Sequence, residues 1–184
     1  RSGGYINDRN EVDPWSHFVN SFVIDRDGNR IDRRNAQDIF TALYNHQIPP
    51  GAADAVHYSF TLPEDVTEPV TVTASLKYRK FDTQYMRFVE EDPDYVNDLP
   101  VTVLAEDSIT FPVAGGEAVA NADSPVPEWQ RWNDYGIGLL RKGPRGELRG
   151  AEEAFQQVEA LGRSEGPINL ARVYLKEGRV AEDA

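Results

Sequence analysis

Hydrophobic and polar residues alternate with two different periods along this chain, and the change falls near Pro127. From about Trp15 to Val113 the period is two. Val56, Tyr58, Phe60 and Leu62 alternate with His57, Ser59 and Thr61, which predicts a strand with one buried face. Val70, Val72, Ala74, Leu76 and Tyr78 repeat that pattern. The stretch between them, Pro63 to Pro69, is rich in turn formers, so the two strands are expected to form a hairpin or to cross between sheets. Phe18 to Ile24 predicts an earlier strand, ended by the tight turn Asp25-Arg26-Asp27-Gly28-Asn29. Val101-Thr102-Val103-Leu104 and Ile109-Thr110-Phe111 complete the set. Strands at this spacing, separated by Pro- and Gly-bearing turns, predict an antiparallel β-sandwich over residues 1–113. Two helices interrupt it: a short one from Asp38 to Tyr44, and one capped by Asp82 that runs through Tyr85, Met86 and Val89.

From Pro127 the period becomes that of a helix. Trp132, Tyr135, Gly136 and Leu139 recur at i, i+3, i+4 and i+7 on one face. A second helix is predicted from Glu147 to Leu161, with Leu148, Ala151, Ala154, Phe155 and Val158 inward and Gly162 placed to end it. A third begins near Ile168. Residues 114–126, rich in Gly, Ala and Pro, form the expected linker. Asp134-Tyr135-Gly136-Ile137-Gly138-Leu139-Leu140-Arg141-Lys142-Gly143 recurs 35 positions later, beginning at Asn169. A period near ~34 with a large–small pair at a helix contact reads as tetratricopeptide-like antiparallel helix pairs over residues 127–184. Trp132, Tyr135, Gly136, Ala151 and Phe155 take the signature positions. The loop around Pro144-Arg145-Gly146 is too long by about three residues for that signature, and the next helix's expected Ala falls off register near Asp183. Arrays of this kind need roughly three repeats, so a chain that opens on Arg1 without Met and stops at Ala184 is expected to be a piece of something longer.

Charge and composition narrow the chemistry. Asp and Glu outnumber Lys and Arg by 31 to 19, a formal charge of −12, and a surface that negative repels phosphate backbones; nucleic acid is not an expected partner. The chain has no cysteine, which removes disulfides, thiolate nucleophiles, thiolate zinc sites and covalent haem attachment through Cys-x-x-Cys-His. No apolar run reaches the ~18 residues that cross a bilayer.

Few motifs point to chemistry. Asp25-x-Asp27-Gly28-Asn29 resembles half a calcium loop. Arg30 stands where such a loop requires Gly and Ala36 where it requires a bidentate Glu, so a turn with capping acids is the better reading. His46, between the predicted helix and the rigid pair Pro49-Pro50, could ligate a metal or an iron supplied by another segment; the competing reading is a structural histidine. Arg33 and Arg34, with Arg30 and with Lys77, Arg79 and Lys80, read either as a docking patch for an acidic surface or haem propionates, or as partners of Asp32, Asp38 and Asp82. Trp132 and Tyr135 join Arg33 and Arg34 as candidate binding residues. No nucleophile elbow, phosphate loop, Rossmann glycine run or His-Glu-x-x-His occurs, so a catalytic reading of this chain has no positive feature to rest on.

Five segments together resemble a known family. They are Asp13 to Asn20, Asp25 to Phe40, Leu43 to Ala53, Leu76 to Met86 and Pro127 to Gly138. They are similar to the C-terminal portion of bacterial multihaem c-type cytochromes that end in tetratricopeptide repeats. In that family the haem-bearing motifs lie upstream and the protein is exported. The resemblance therefore implies an extracytoplasmic setting, haem c in a parent protein but none within this chain, and a haem-bearing upstream domain or chain as partner. It also implies that the sandwich's first strands precede Arg1. Beside it, His46 is a candidate axial ligand to a haem held by other residues. The expected function is a non-catalytic scaffold that recruits other proteins through its helical repeats. Its rivals are a free-standing module binding peptide or glycan, and an accessory part of a haem oxidoreductase.

Overall fold

A computed structural model of the chain describes residues 6–13, 15–114, 116, 118–142 and 147–179. The expectations resting on Gly143, Pro144, Arg145, Gly146 and Asp183 lie outside them. Among the described residues the class is mixed α and β, with two two-stranded antiparallel sheets and four helices. The chain divides into two compact units. One comprises Arg1–Asn45 and Tyr58–Ala122, the other His46–His57 and Asp123–Ala184.

In the first unit β1 (Ser21–Ile24) pairs antiparallel with β2 (Thr41–Asn45), Ser21 opposite Asn45. The helix expected from Asp38 to Tyr44 does not form. Ala36–Asp38 makes a single 3₁₀ turn, and the residues after it extend. The reason is a free edge: β1 offers unpaired N–H and C=O groups beside a segment holding Thr41 and Tyr44, which suit a strand better than a helix. The first strand is also shorter than expected, since Phe18 and Val19 lie outside it and exposed. Beyond Ile24 the chain turns as predicted. Asp25 Oδ1 accepts hydrogen bonds from the backbone N–H of Asp27 and Asn29 at 2.9 and 2.8 Å, an Asx arrangement that uses the carboxylate locally.

Strand β3 (Val70–Tyr78) pairs with β4 (Thr102–Phe111), not with residues 56–62. The two short strands expected at 101–104 and 109–111 are thus one, with Leu104 as the extra residue of a bulge opposite the Leu76/Lys77 step. Alternation is carried through: Thr71 and Thr110 hydroxyls pair at 2.9 Å, Thr73 and Ser108 at 2.9 Å, and Ser75 donates to Glu106 at 2.6 Å on one face. On the other face Val72 stands opposite Ile109, and both are more than 40% exposed. The predicted strand at Val56 to Leu62 is absent. A period-two pattern specifies a strand only where a partner edge comes alongside it, and the edge that pairs with β3 is β4 rather than residues 56–62. Between β3 and β4, Asp82 caps α1 (Thr83–Val89) as predicted, its carboxylate accepting from Tyr85 N–H at 2.8 Å. Met86 of α1 is the buried hydrophobic residue of this unit among those described.

The second unit is built on α2 (Glu128–Leu140), α3 (Leu148–Ala160) and α4 (Glu165–Glu177). The last begins three residues before the predicted start. Gly136 of α2 faces Phe155 of α3 while Leu139 faces Gly150, so the two helices run antiparallel. Glu159 meets Gly166 and Glu152 meets the Tyr174 hydroxyl, which makes α3 and α4 antiparallel too. Gly162 ends α3 at φ +74°, with Arg163 N–H on Val158 O and Gly162 N–H on Glu159 O, a Schellman closure. Leu139, Ala151, Phe155, Leu170 and Val173 form the core, with Ala154 and Val158 also buried. The inward face predicted for α3 is the observed one, except that Leu148 is only half-buried. Among the described residues no helix is long and apolar enough to cross a membrane.

Candidate protein-interaction surface

Residues 46–57 belong with the helices although they sit between strands of the first unit in sequence. They carry no regular secondary structure, and a turn at Pro49-Pro50-Gly51-Ala52 folds them back, with Ala52 N–H on Pro49 O at 3.1 Å and Gly51 at φ +70°. Pro at the second turn position and a positive-φ Gly at the third are what a type II turn requires. The turn brings the carbonyls of Gln47 and Ala53 to one guanidinium: Arg141 donates Nη2 to Gln47 O at 2.7 Å and Nη1 to Ala53 O at 2.8 Å. Charge-assisted bonds of this kind are the stronger ones.

The segment then enters the core. Ala55 is 8% exposed and clusters with Leu139, Phe155 and Val173. Its backbone comes so close to α2 because residue 138 is glycine, where a Cβ would lie 2.9 Å from Ala55 N and 3.0 Å from Asp54 C. A glycine inside a helix costs about 1 kcal/mol relative to alanine, and close approach of another backbone is the usual reason for one. At the end of the segment His57 Nε2 and the Tyr135 hydroxyl share a hydrogen bond at 3.3 Å, and His57 Nδ1 lies 3.3 Å from Glu147 Oε2. Lys142 donates to the other oxygen of Glu147 at 2.7 Å. That bond to Lys142, the largest influence, and to a lesser degree the neighbouring imidazole hold the Glu147 carboxyl below the ordinary glutamate value against the opposing effect of burial. His57, expected on an outer sheet face, is therefore a contact residue of the helical unit.

Trp132 is half-buried on α2, its ring 6.4 Å from that of Tyr135 in an edge-on contact. Tyr135 does not share the buried contact expected of it: it is 41% exposed, and Gly136 takes the place against Phe155. Adding a Cβ at 136 would bring it within 2.6 Å of the ring, so the large–small pair is Phe155 with Gly136. His46 is half-buried directly after β2, and is engaged by its surroundings. Arg33 and Arg34 belong to the first unit and are exposed. Arg33 bonds Asp32 at 3.2 Å and stacks over Phe88 at 5.2 Å, while Arg34, at φ +59°, lies 4.8 Å from both Phe81 and Tyr85. Arg30 bonds Asp82 at 3.1 Å, so two of the three acids weighed as arginine partners are used so; Asp38 accepts from Asn35 and Gln37. Arg33 also lines an open depression of about 620 Å³ with Arg87, Phe88 and Glu91.

The contact residues that sequence reasoning missed are Arg141, Gly138, Ala55 and His57. Only Gly138 carried a signal, as a second glycine inside a helical pattern. Comparison with protein-family models, with curated proteins and with solved structures finds no match for this chain.

Proposed function

We propose that the chain is a non-catalytic scaffold: a β-sandwich portion and tetratricopeptide-like helices that recruit other proteins, as the haem-free part of an exported multihaem c-type cytochrome. The observation that carries this is the relation of α2 to α4. Asn169 donates to Asn133 Oδ1 at 2.9 Å and Lys176 donates to Leu140 O at 2.8 Å, both across 36 positions, so the two helices run parallel, one position off the 35-residue sequence repeat. With α3 antiparallel to both, the arrangement is consistent with one helix pair followed by the first helix of a next. Ile168 and Leu175 on α4 are 56% and 61% exposed, as a helix awaiting its repeat partner would be. The sandwich half is supported by β3 and β4, whose apolar residues Val72, Leu76, Ile109 and Phe111 are exposed; such a ribbon is marginal without a second layer.

Haem would be held elsewhere, because a chain without cysteine cannot attach it. His46 could contribute at most an axial imidazole. It suits that role to the extent that the main chain beside it is pinned, through Gln47 O on Arg141. The protein isolated from its own cells is expected to carry c-type haem absorbance, and the present chain to bind the haem-bearing part in isothermal titration. Haem-free protein that binds no such partner refutes the assignment. His46→Ala should convert one low-spin haem to high spin; an unchanged spectrum leaves His46 structural.

A further inference from the structure

The outer edges of the β3–β4 ribbon are unlike each other. On β4, Asn121 stands in for a neighbouring strand: its side-chain amide donates to Thr110 O at 2.9 Å and its Oδ1 accepts from Thr110 N–H at 2.8 Å. Both main-chain groups of Thr110 therefore point outward, which makes Thr110 and Thr71 a non-hydrogen-bonded pair of the ladder. Strand alternation then turns the N–H and C=O of Thr71, Thr73 and Ser75 away from β4. Among the described residues no main-chain group bonds to them. The edges also differ in charge. Strand β4 carries Glu106 and Asp107 near its middle and a bulge at Leu104, features that keep an edge from pairing. Strand β3 has no charge from Val70 to Leu76, no proline and no glycine, and is exposed throughout beyond Val70.

We propose that a second copy of this chain pairs along β3, antiparallel across a two-fold axis at Ala74, to make a four-stranded sheet in the order β4-β3-β3-β4. Two requirements set the register. Apolar side chains must stay on one face, so a residue meets its own counterpart at the axis. Pro69 must stay outside the ladder, since it has no N–H to give. Centring on Ala74 meets both and pairs all nine residues of β3. Val72 of one copy then faces Leu76 of the other, Thr73 and Ser75 exchange main-chain hydrogen bonds, and Lys77 meets Thr71 rather than another lysine. Val72, Leu76, Ile109 and Phe111 of both copies join into one continuous apolar face. A second copy is the occupant because it brings the same uncharged edge, self-complementary in this register. With β4 guarded, the pairing closes at two copies instead of running on into a fibre. The inference goes beyond the scaffold assignment and does not rest on it.

Sedimentation equilibrium of the full chain tests the pairing. A reversible dimer is expected, with about twice the 20.7 kDa mass of the chain. Thr73→Pro should leave a monomer. The Thr73 N–H faces away from β4, so proline there takes nothing from the β3–β4 ladder but removes a donor to the other copy. Thr73→Val keeps the N–H, loses the hydroxyl pair with Ser108, and should remain dimeric. Position is read by cysteine, which the chain otherwise lacks. Two Ala74→Cys copies meet at a non-hydrogen-bonded site with Cα atoms about 4.5 Å apart, within disulfide reach, so mild oxidation should lock the dimer covalently. Asp107→Cys, opposite Ala74 but on β4, lies three strand spacings from its counterpart, about 14 Å, and should stay uncrosslinked. Equal crosslinking at 74 and 107 overturns the inference, as does a Thr73→Val chain no more dimeric than Thr73→Pro. A wild-type chain that stays monomeric also overturns it, and leaves the β3 edge to a strand from outside this chain.

Discussion

At the scale of single residues, two glycines of α2 do different work. Gly138 admits a second backbone; Gly136 admits the Phe155 ring. Gly136→Ala improves helix propensity by about 1 kcal/mol, but forces a methyl against a fully buried ring that has nowhere to go, and overpacking of that kind costs roughly 1–3 kcal/mol. Net destabilisation is expected in urea unfolding; a more stable variant would mean that Phe155 can move aside. Glu147 offers a pH test. Its folded-state value is depressed, first by Lys142, so its contribution is present above the ordinary glutamate range and is lost as pH falls through the depressed value. Lys142→Met should therefore move the Glu147 carboxyl titration upward when followed by NMR. An unmoved titration would assign the depression to His57 instead.

At the scale of elements, the helices and the strands show unequal self-sufficiency. Helix α3 presents Ala151, Ala154, Phe155 and Val158 to its neighbours, and its C-terminal end is closed locally at Gly162. Phe155→Ala removes the largest of these side chains from a site with no exposed surface, and should cost about 3–5 kcal/mol in thermal or denaturant unfolding followed at the helical band. An effect near zero would mean that α2, α3 and α4 do not pack as a unit in solution. The β3–β4 ribbon behaves differently. Its register is fixed by cross-strand hydroxyl pairs and by the bulge at Leu104, but Val72, Leu76, Ile109 and Phe111 bury little against the rest of the unit. Cross-strand pairs of that type contribute roughly 0.2–1 kcal/mol each, so the ribbon holds its register more firmly than its stability.

For the whole molecule, this inequality predicts the order of opening. Amide exchange should be slowest at Leu139, Phe155, Val158 and Val173, and faster along β1 to β4 by orders of magnitude. Equal protection in both units would require a core in the first that Met86 alone does not supply. The same contrast separates what the sequence determined from what it could not. The three helices, the inward face of α3 and the stop at Gly162 were legible because an amphipathic stripe and a glycine closure act within a few turns of one helix. The Asp82 cap and the turn at Asp25 were legible for the same reason: each is a side chain bonding to backbone two to four residues away. The strand at 41–45, the pairing of β3 with β4 and the fate of Val56 to Leu62 were not, because strand pairing is a competition between distant edges and alternation is equally satisfied by every outcome. Only the tertiary structure could carry residues 46–57 onto the helices. That choice is made by a guanidinium reaching two main-chain carbonyls and by the missing Cβ of Gly138, contacts between segments more than 80 residues apart that leave no period in the sequence.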